Sequence, residues 1–179
     1  PGIVKNTLAP DPKNFLCPWI RSNIPGAVDG LNKFDLTRWS NDYFKRLIDF
    51  VRTASSHNII VEMNLFCPFY NDRMWNVSPL NAKNNINGIG DMERTDVYTL
   101  RDSRMQALQD EMVSRIIAAL HNFDNLYFEI CNEPYFGGVT ADWQKHIARL
   151  IADTETQSAN HHMISQNIGN GAEKVIDPN

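Results

Sequence analysis

The chain has 179 residues, 42% hydrophobic and 21% charged, which is typical of one globular domain with a full hydrophobic core. No apolar run approaches the length of a membrane span, and no basic block accompanies the net charge of -4, so neither a membrane nor nucleic acid is a predicted partner. Residues 1–179 are therefore interpreted as a single domain. Because the chain begins with Pro1 and not Met, we expect it to start inside a longer gene product or to have been processed or trimmed.

The first part of the chain predicts a loop, a helix and a strand. Residues 1–40 show no sustained hydrophobic periodicity and contain many proline, glycine and asparagine residues, so a long ordered loop is predicted. Ser40 is a suitable N-cap for a helix in NDYFKRLIDFVRTASS, where apolar residues recur at three- and four-residue steps. NIIVEMNLF (58–66) is rich in branched residues and predicts a strand.

The second part of the chain alternates helices and strands after a long irregular segment. No clear element is predicted for 67–102, and a loop of this length inside a domain is usually functional. A helix is predicted over about 103–121 and a strand over 125–132. Thr140 is predicted to cap a third helix, and a third strand is predicted at 162–167.

This order of elements predicts an α/β fold with parallel strands joined by helical connections. Neither GxGxxG nor GxxxxGK[ST] is present, which counts against a dinucleotide-binding or phosphate-loop fold. A (β/α) barrel fits the alternation better, although a whole barrel needs eight strands and roughly 250 residues. The sequence therefore predicts part of a TIM (β/α)8 barrel.

A carboxylate stands at the end of the second predicted strand, in FEICNEPYFGG (128–138). Strand alternation places Glu129 and Glu133 on one face and Asn132 on the other. Glu133 lies at the C-terminal end of the strand, where barrel active sites are built, and Pro134 stops the strand ladder there. Partial removal from water would raise the pKa of Glu133 and allow it to act as a general acid. On position alone, a solvated or hydrogen-bonded strand end is the alternative.

LYFEICNEP resembles the fourth-strand signature of clan A glycoside hydrolases, the retaining barrel enzymes that include the family 5 cellulases and mannanases. FDLTRWSNDYFKRLIDFV resembles the second helix of that family and its approach, and NIIVEMNLF resembles the third strand. The resemblance covers most of 34–167 and implies barrel strands 3 to 5 with their intervening helices. It also implies that Glu133 is the acid/base and that Asn132 binds the 2-hydroxyl of the sugar.

The chain departs from the family pattern in two places. A histidine often ends the third strand of the family, where this chain has LFCP. The nucleophile of the family belongs to strand seven, and retaining hydrolysis needs both carboxylates about 5 to 5.5 Å apart. The resemblance thus implies a retaining hydrolase of β-linked glycans whose nucleophile lies outside this chain. The rest of the barrel would come from the full-length polypeptide or another chain, and the fragment alone is expected to be inactive.

Aromatic and amide side chains on the predicted loops favour a sugar cleft, because sugars present apolar faces and hydroxyl edges. For each aromatic taken alone, ordinary loop packing is the alternative. The predicted substrate-binding residues, besides Asn132, are Trp19, Tyr70, Trp75, Tyr135, Phe136 and Asn167.

The remaining polar residues predict structural roles. Glu62 and Glu129 are mid-strand and are expected to form ion pairs inside the barrel. The three cysteines lack metal-ligand spacing, and two buried free thiols are favoured over a Cys17–Cys67 bridge. The five histidines are expected to be solvated or to serve helix C-termini. No cofactor and no metal are predicted.

Two other interpretations remain open at this stage. A carbohydrate-binding pseudo-enzyme would keep the barrel and its cleft without turnover. An α/β structural domain would contain Asn-Glu-Pro by accident, and it would bind no glycan.

Overall fold

The computed structural model describes residues 14–156, 158 and 160–167. Two sheets organise this part of the chain. Strands β1 (Trp19–Pro25) and β2 (Asn32–Trp39) form an antiparallel pair near the N-terminus.

The second sheet is parallel and contains the three strands predicted from the sequence. Strands β3 (Val61–Phe66), β4 (Leu126–Cys131) and β5 (Ile164–Ser165) lie side by side in that order. The mixed α/β class is confirmed, and so is the parallel pairing. β5 is much shorter than the predicted strand.

Among the described residues, four α-helices connect or flank these strands. They are α1 (Asn41–Ser56), α2 (Asp72–Val77), α3 (Ser103–Leu120) and α4 (Ala141–Glu155). The predicted caps of α1 and α4 are confirmed, because the Ser40 hydroxyl accepts from the Tyr43 N–H and the Thr140 hydroxyl accepts from the Trp143 N–H. Within the part of the chain that the structure describes, none of the helices combines the length and apolar character needed to span a membrane.

The long helices pack beside one another in chain order. α3 contacts both α1 and α4, and α4 also contacts β4. Their buried residues join the apolar side chains of β3 and β4 in one core, which contains Val61, Leu65, Leu126, Phe128, Ile130, Val113, Ile117, Leu120, Trp143, Ile147 and Ile151. Because side chains alternate between the two faces of a strand, the face of the parallel sheet that points away from this core is more polar. Its members include Glu62, Asn64, Tyr127, Glu129 and Ser165.

The prediction of one long loop through residue 40 is wrong for the segment that forms β1 and β2. The part of this predicted loop that covers 1–13 lies outside the described residues. The pairing register of this hairpin shifts twice between β1 and β2, so apolar and polar residues do not alternate regularly along the two strands. Trp19 and Trp39 pair across the strands and stack with centroids 6.1 Å apart, which gives the hairpin an apolar centre.

The segment 67–102 is also more regular than predicted, since it contains α2 and a short 3-10 helix, Arg94–Asp96. Buried asparagines hold the rest of it. Asn85 Nδ2 lies 2.9–3.1 Å from three backbone carbonyl oxygens, which share its two hydrogens, and Oδ1 accepts from two backbone N–H groups. The residues on either side of Asn85 attach the segment to β2, because the backbone of Phe34 forms hydrogen bonds with the backbones of Asn84 and Ile86. The side chain of Asn85 thus substitutes for regular secondary structure.

We expect Asn85→Ala to lower the free energy of unfolding by about 2–4 kcal/mol, because it leaves several buried backbone groups without partners. Urea denaturation followed by circular dichroism measures the change. Asn122→Ala is the control, since Asn122 is exposed, and it should stay within about 0.5 kcal/mol of the wild type. Equal stability of the two variants would contradict the role given to Asn85.

Candidate functional site

The segments that follow β3 and β4 meet at the C-terminal edge of the parallel sheet. The Asn132 N–H donates to the Phe66 carbonyl at 2.9 Å and carries the strand pairing one residue beyond β4. Glu133 then adopts φ 44°, in the left-handed region that non-glycine residues rarely enter. Such backbone conformations concentrate at functional sites. This turn ends the alternation, so the predicted placement of Asn132 and Glu133 on opposite faces is wrong.

The side chains of both residues converge on Tyr70. The Tyr70 hydroxyl donates to Glu133 Oε2 at 2.6 Å and accepts from Asn132 Nδ2 at 3.1 Å. The Tyr135 hydroxyl donates to Glu133 Oε1 at 2.8 Å. Each oxygen of the carboxylate therefore accepts one phenol hydrogen bond. We call these four residues together with Cys67 the Glu133 cluster.

Cys67 is the member of the cluster that the sequence did not predict as a site residue. Its thiol donates to the Tyr70 hydroxyl at 3.4 Å, and Asn132 Nδ2 lies 3.9 Å from its sulfur. One signal in the sequence indicates this position. Cys67 directly follows β3 just as Asn132 directly follows β4, and neighbouring parallel strands end at the same edge.

The hydrogen bonds to Glu133 lower the pKa of its carboxyl group. The donor Tyr70 has the largest effect and Tyr135 the next, while partial removal from water acts in the opposite direction. The prediction that the pKa of Glu133 is raised is therefore wrong for this arrangement, because the hydrogen bonds from two phenols outweigh desolvation. Hydrogen bonding with Cys67, and then with Glu133, raises the pKa of Tyr70, and hydrogen bonding with Glu133 raises the pKa of Tyr135.

Two glycines fix the loop that carries Tyr135 against the loops around it. Gly137 and Gly138 have φ of 68° and 76°. A Cβ on Gly138 would lie 2.3 Å from the Thr95 carbonyl oxygen, and one on Gly137 would lie 2.9 Å from Pro68 Cβ. Only glycine fits both the backbone conformation and the close approach. The loop after β4 is thereby anchored beside the cluster.

The aromatic residues predicted to bind substrate separate into two groups. Tyr135 and Phe136 are 44% and 46% exposed, and Phe136 packs its ring edge-on to Tyr70 with centroids 5.4 Å apart. They border the cluster on its solvent side. Trp19 and Trp75 are each only 5% exposed.

The two buried tryptophans belong to the core of the fold. Trp19 stacks on Trp39 in the hairpin, and Trp75 packs against Phe69 and donates from Nε1 to the Met92 carbonyl at 3.0 Å. The structure does not bring either indole to the Glu133 cluster. Asn167 follows β5 at the same edge of the sheet and is partly exposed.

Several polar residues lie in surroundings other than those predicted. All three cysteines are free, but Cys67 is exposed and not buried. Burial raises the pKa of the Cys17 thiol to about 11 and also raises that of Cys131. Glu62 is exposed and Glu129 is buried, and neither forms an ion pair with another described residue, so the predicted interior ion pairs are not found.

His162 also departs from its predicted solvated position. Its side chain is 3% exposed and pairs with the equally buried carboxylate of Glu155. His121 agrees with the prediction, because its ring lies at the C-terminal end of α3 and contacts the Ala118 carbonyl. Over the described ranges, no group of three His, Cys, Asp or Glu side chains is arranged to hold a metal ion.

Comparison of the chain with models of known protein families, with curated proteins and with solved structures yields no match.

Proposed function

We propose that the chain forms part of the catalytic barrel of a retaining glycoside hydrolase that acts on β-linked glycans, with Glu133 as its acid/base. The observation that carries the proposal is the Glu133 cluster itself. A partly exposed carboxylate, an amide and exposed aromatic rings converge at the C-terminal edge of neighbouring parallel strands. Barrel enzymes build their active sites at this edge.

The sheet supports the finer proposal of a partial TIM barrel that spans about strands 3 to 5. The parallel strands are neighbours in chain order, the three long helices contact one another in the same order, and one face of the sheet belongs to the apolar core. The other face carries Glu62 and Asn64, which are exposed, together with the partly exposed Tyr127. In a closed barrel that face would line the interior. The remaining strands would come from the full-length polypeptide or from another chain.

The proposed reaction gives Glu133 two successive roles. It protonates the leaving glycosidic oxygen while the nucleophile attacks, and then removes a proton from the water that hydrolyses the glycosyl-enzyme. The second role needs an ionised carboxylate, which the low pKa of Glu133 favours. The first role needs the protonated acid. A nucleophilic carboxylate about 5 to 5.5 Å away would raise the pKa of Glu133 by like-charge repulsion.

Residues around Glu133 supply the chemistry that a sugar requires. The Asn132 amide can hydrogen-bond a hydroxyl group, and the exposed faces of Tyr135 and Phe136 can contact apolar sugar C–H groups. Asn167, after β5, is proposed as a further substrate contact because it follows the next strand of the same sheet. The proposed substrate is therefore an oligo- or polysaccharide.

One observation favours a second candidate, a carbohydrate-binding pseudo-enzyme. Both oxygens of Glu133 already accept hydrogen bonds from tyrosines, so the carboxylate is fixed as a hydrogen-bond acceptor in this arrangement. A module of this kind would bind glycans through the same edge of the sheet without cleaving them.

The two candidates are separated by incubating the full-length protein with a panel of β-linked oligosaccharides. Proton NMR during the reaction should show products that first appear with the β configuration at the anomeric carbon. Binding by calorimetry without any cleavage would support the pseudo-enzyme instead. Products that first appear with the α configuration would contradict double displacement.

A further inference from the structure

The Tyr70 hydroxyl is the point at which the loops after β3 and β4 are joined. It lies within hydrogen-bond distance of Cys67, Asn132 and Glu133. A phenol has one proton and two lone pairs, whereas a carboxylate can only accept. The proton of Tyr70 therefore points to Glu133 Oε2, and its lone pairs accept from Asn132 and Cys67. All three bonding positions of the hydroxyl are occupied.

The two tyrosines that bind Glu133 differ in how firmly they are held. Tyr70 is partly buried, forms a T-shaped ring contact with Phe136 and makes three polar contacts. Tyr135 is 44% exposed, and its hydroxyl has Glu133 as its hydrogen-bond partner among the described residues. Glu133 Oε1 is thus the oxygen whose hydrogen bond can be exchanged for one to a ligand.

We propose that Tyr70 is a positioning residue that fixes Glu133 through Oε2 and connects Asn132 to the same carboxylate, while Tyr135 releases Oε1 to the glycosidic oxygen. The inference rests on the proposed function and deepens it, because it assigns different duties to the two carboxylate oxygens. It also gives Tyr70 a role other than that of a sugar-stacking surface.

The causes of the lowered pKa of Glu133 agree with the separate roles given to Tyr70 and Tyr135. Hydrogen bonds from Tyr70 and then Tyr135 are the largest causes of the lowered pKa of Glu133. The other titratable group of the cluster is Cys67, whose thiol contacts the Tyr70 hydroxyl. Removal of a phenol donor destabilises the charged carboxylate, so the pKa of Glu133 should rise. The change should be larger for Tyr70 than for Tyr135.

The test is a carbon-13 NMR titration of the full-length protein labelled at its glutamate side-chain carboxyl carbons. Glu133→Gln identifies the Glu133 signal by removing it. We expect Tyr70→Phe to move the Glu133 titration to higher pH, and Tyr135→Phe to move it in the same direction by less. Tyr43→Phe is the matched control, because Tyr43 lies on α1 and contacts Phe44 in the core, and it should leave the titration unchanged.

A Glu133 titration that is unchanged in Tyr70→Phe, or that moves more in Tyr135→Phe, would overturn the proposal. A hydrolysis assay gives a second readout. Tyr70→Phe should lower kcat roughly 10- to 100-fold with little change in KM, because the Glu133 carboxyl group is then held less firmly in its reactive orientation. The alkaline limb of the pH profile should move to higher pH, since the protonated acid persists longer. The titration requires no turnover, so an inactive wild-type protein would contradict the proposed function while the Tyr70 result still decides this inference.

Discussion

Glu133→Gln in the full-length protein is expected to lower kcat on unactivated β-glycans by roughly 10²- to 10⁴-fold, with little change in binding affinity. Glutamine keeps the shape of the side chain but cannot donate a proton to the leaving oxygen or take one from water. Reducing-sugar release measures turnover, and calorimetry with the same glycan measures binding.

Glu93→Gln is the matched control for this substitution. Glu93 is exposed, and its side chain makes no capping hydrogen bond to the short helix that follows it. This variant should hydrolyse the glycans at the wild-type rate. Turnover that survives in Glu133→Gln would remove Glu133 from the reaction, and an equal loss in both variants would show that the effect is not specific to the site.

His162→Ala is expected to lower the free energy of unfolding by about 2–4 kcal/mol, because it leaves the buried Glu155 carboxylate without the side chain that hydrogen-bonds it and leaves a cavity where the ring packs. The ring of His162 contacts Glu155 through Nδ1 and the Phe123 carbonyl through Nε2 at 2.7 Å. It therefore ties the end of α4 and the approach to β5 to the turn before β4.

The neighbouring residue supplies the control for this second prediction. His161 is exposed, so His161→Ala should change the free energy of unfolding by no more than about 0.5 kcal/mol. Chemical denaturation of both variants at neutral pH gives the comparison. If His162→Ala is as stable as His161→Ala, the buried pair is not what holds β5 in place.

The sequence predicted the long helices and the parallel strands because their hydrophobic patterns are local. The caps Ser40 and Thr140 were found for the same reason, since a cap is defined by a few adjacent residues. The hairpin was missed because its pairing depends on shifts in register between β1 and β2. Asn85 was missed because nothing adjacent to it reveals which distant carbonyls it will bind.

The candidate site follows the same division between local and long-range information. The position of Glu133 at a strand end could be predicted, because strand and proline signals flank it. Its lowered pKa could not, since the two phenols that cause it come from different loops and Tyr70 lies far away in the sequence. Likewise, the aromatic composition of the loops suggested a cleft, but only tertiary packing shows that Trp19 and Trp75 are buried.

The most direct test of the acid/base role is azide rescue of Glu133→Ala with a dinitrophenyl β-glycoside as substrate. This leaving group departs without acid catalysis, so the glycosyl-enzyme should form and accumulate. Azide should then displace the enzyme nucleophile at the anomeric carbon and release a β-glycosyl azide. An α-glycosyl azide would identify Glu133 as the nucleophile instead. Unimpaired hydrolysis of natural glycans by the variant would contradict any catalytic role for Glu133.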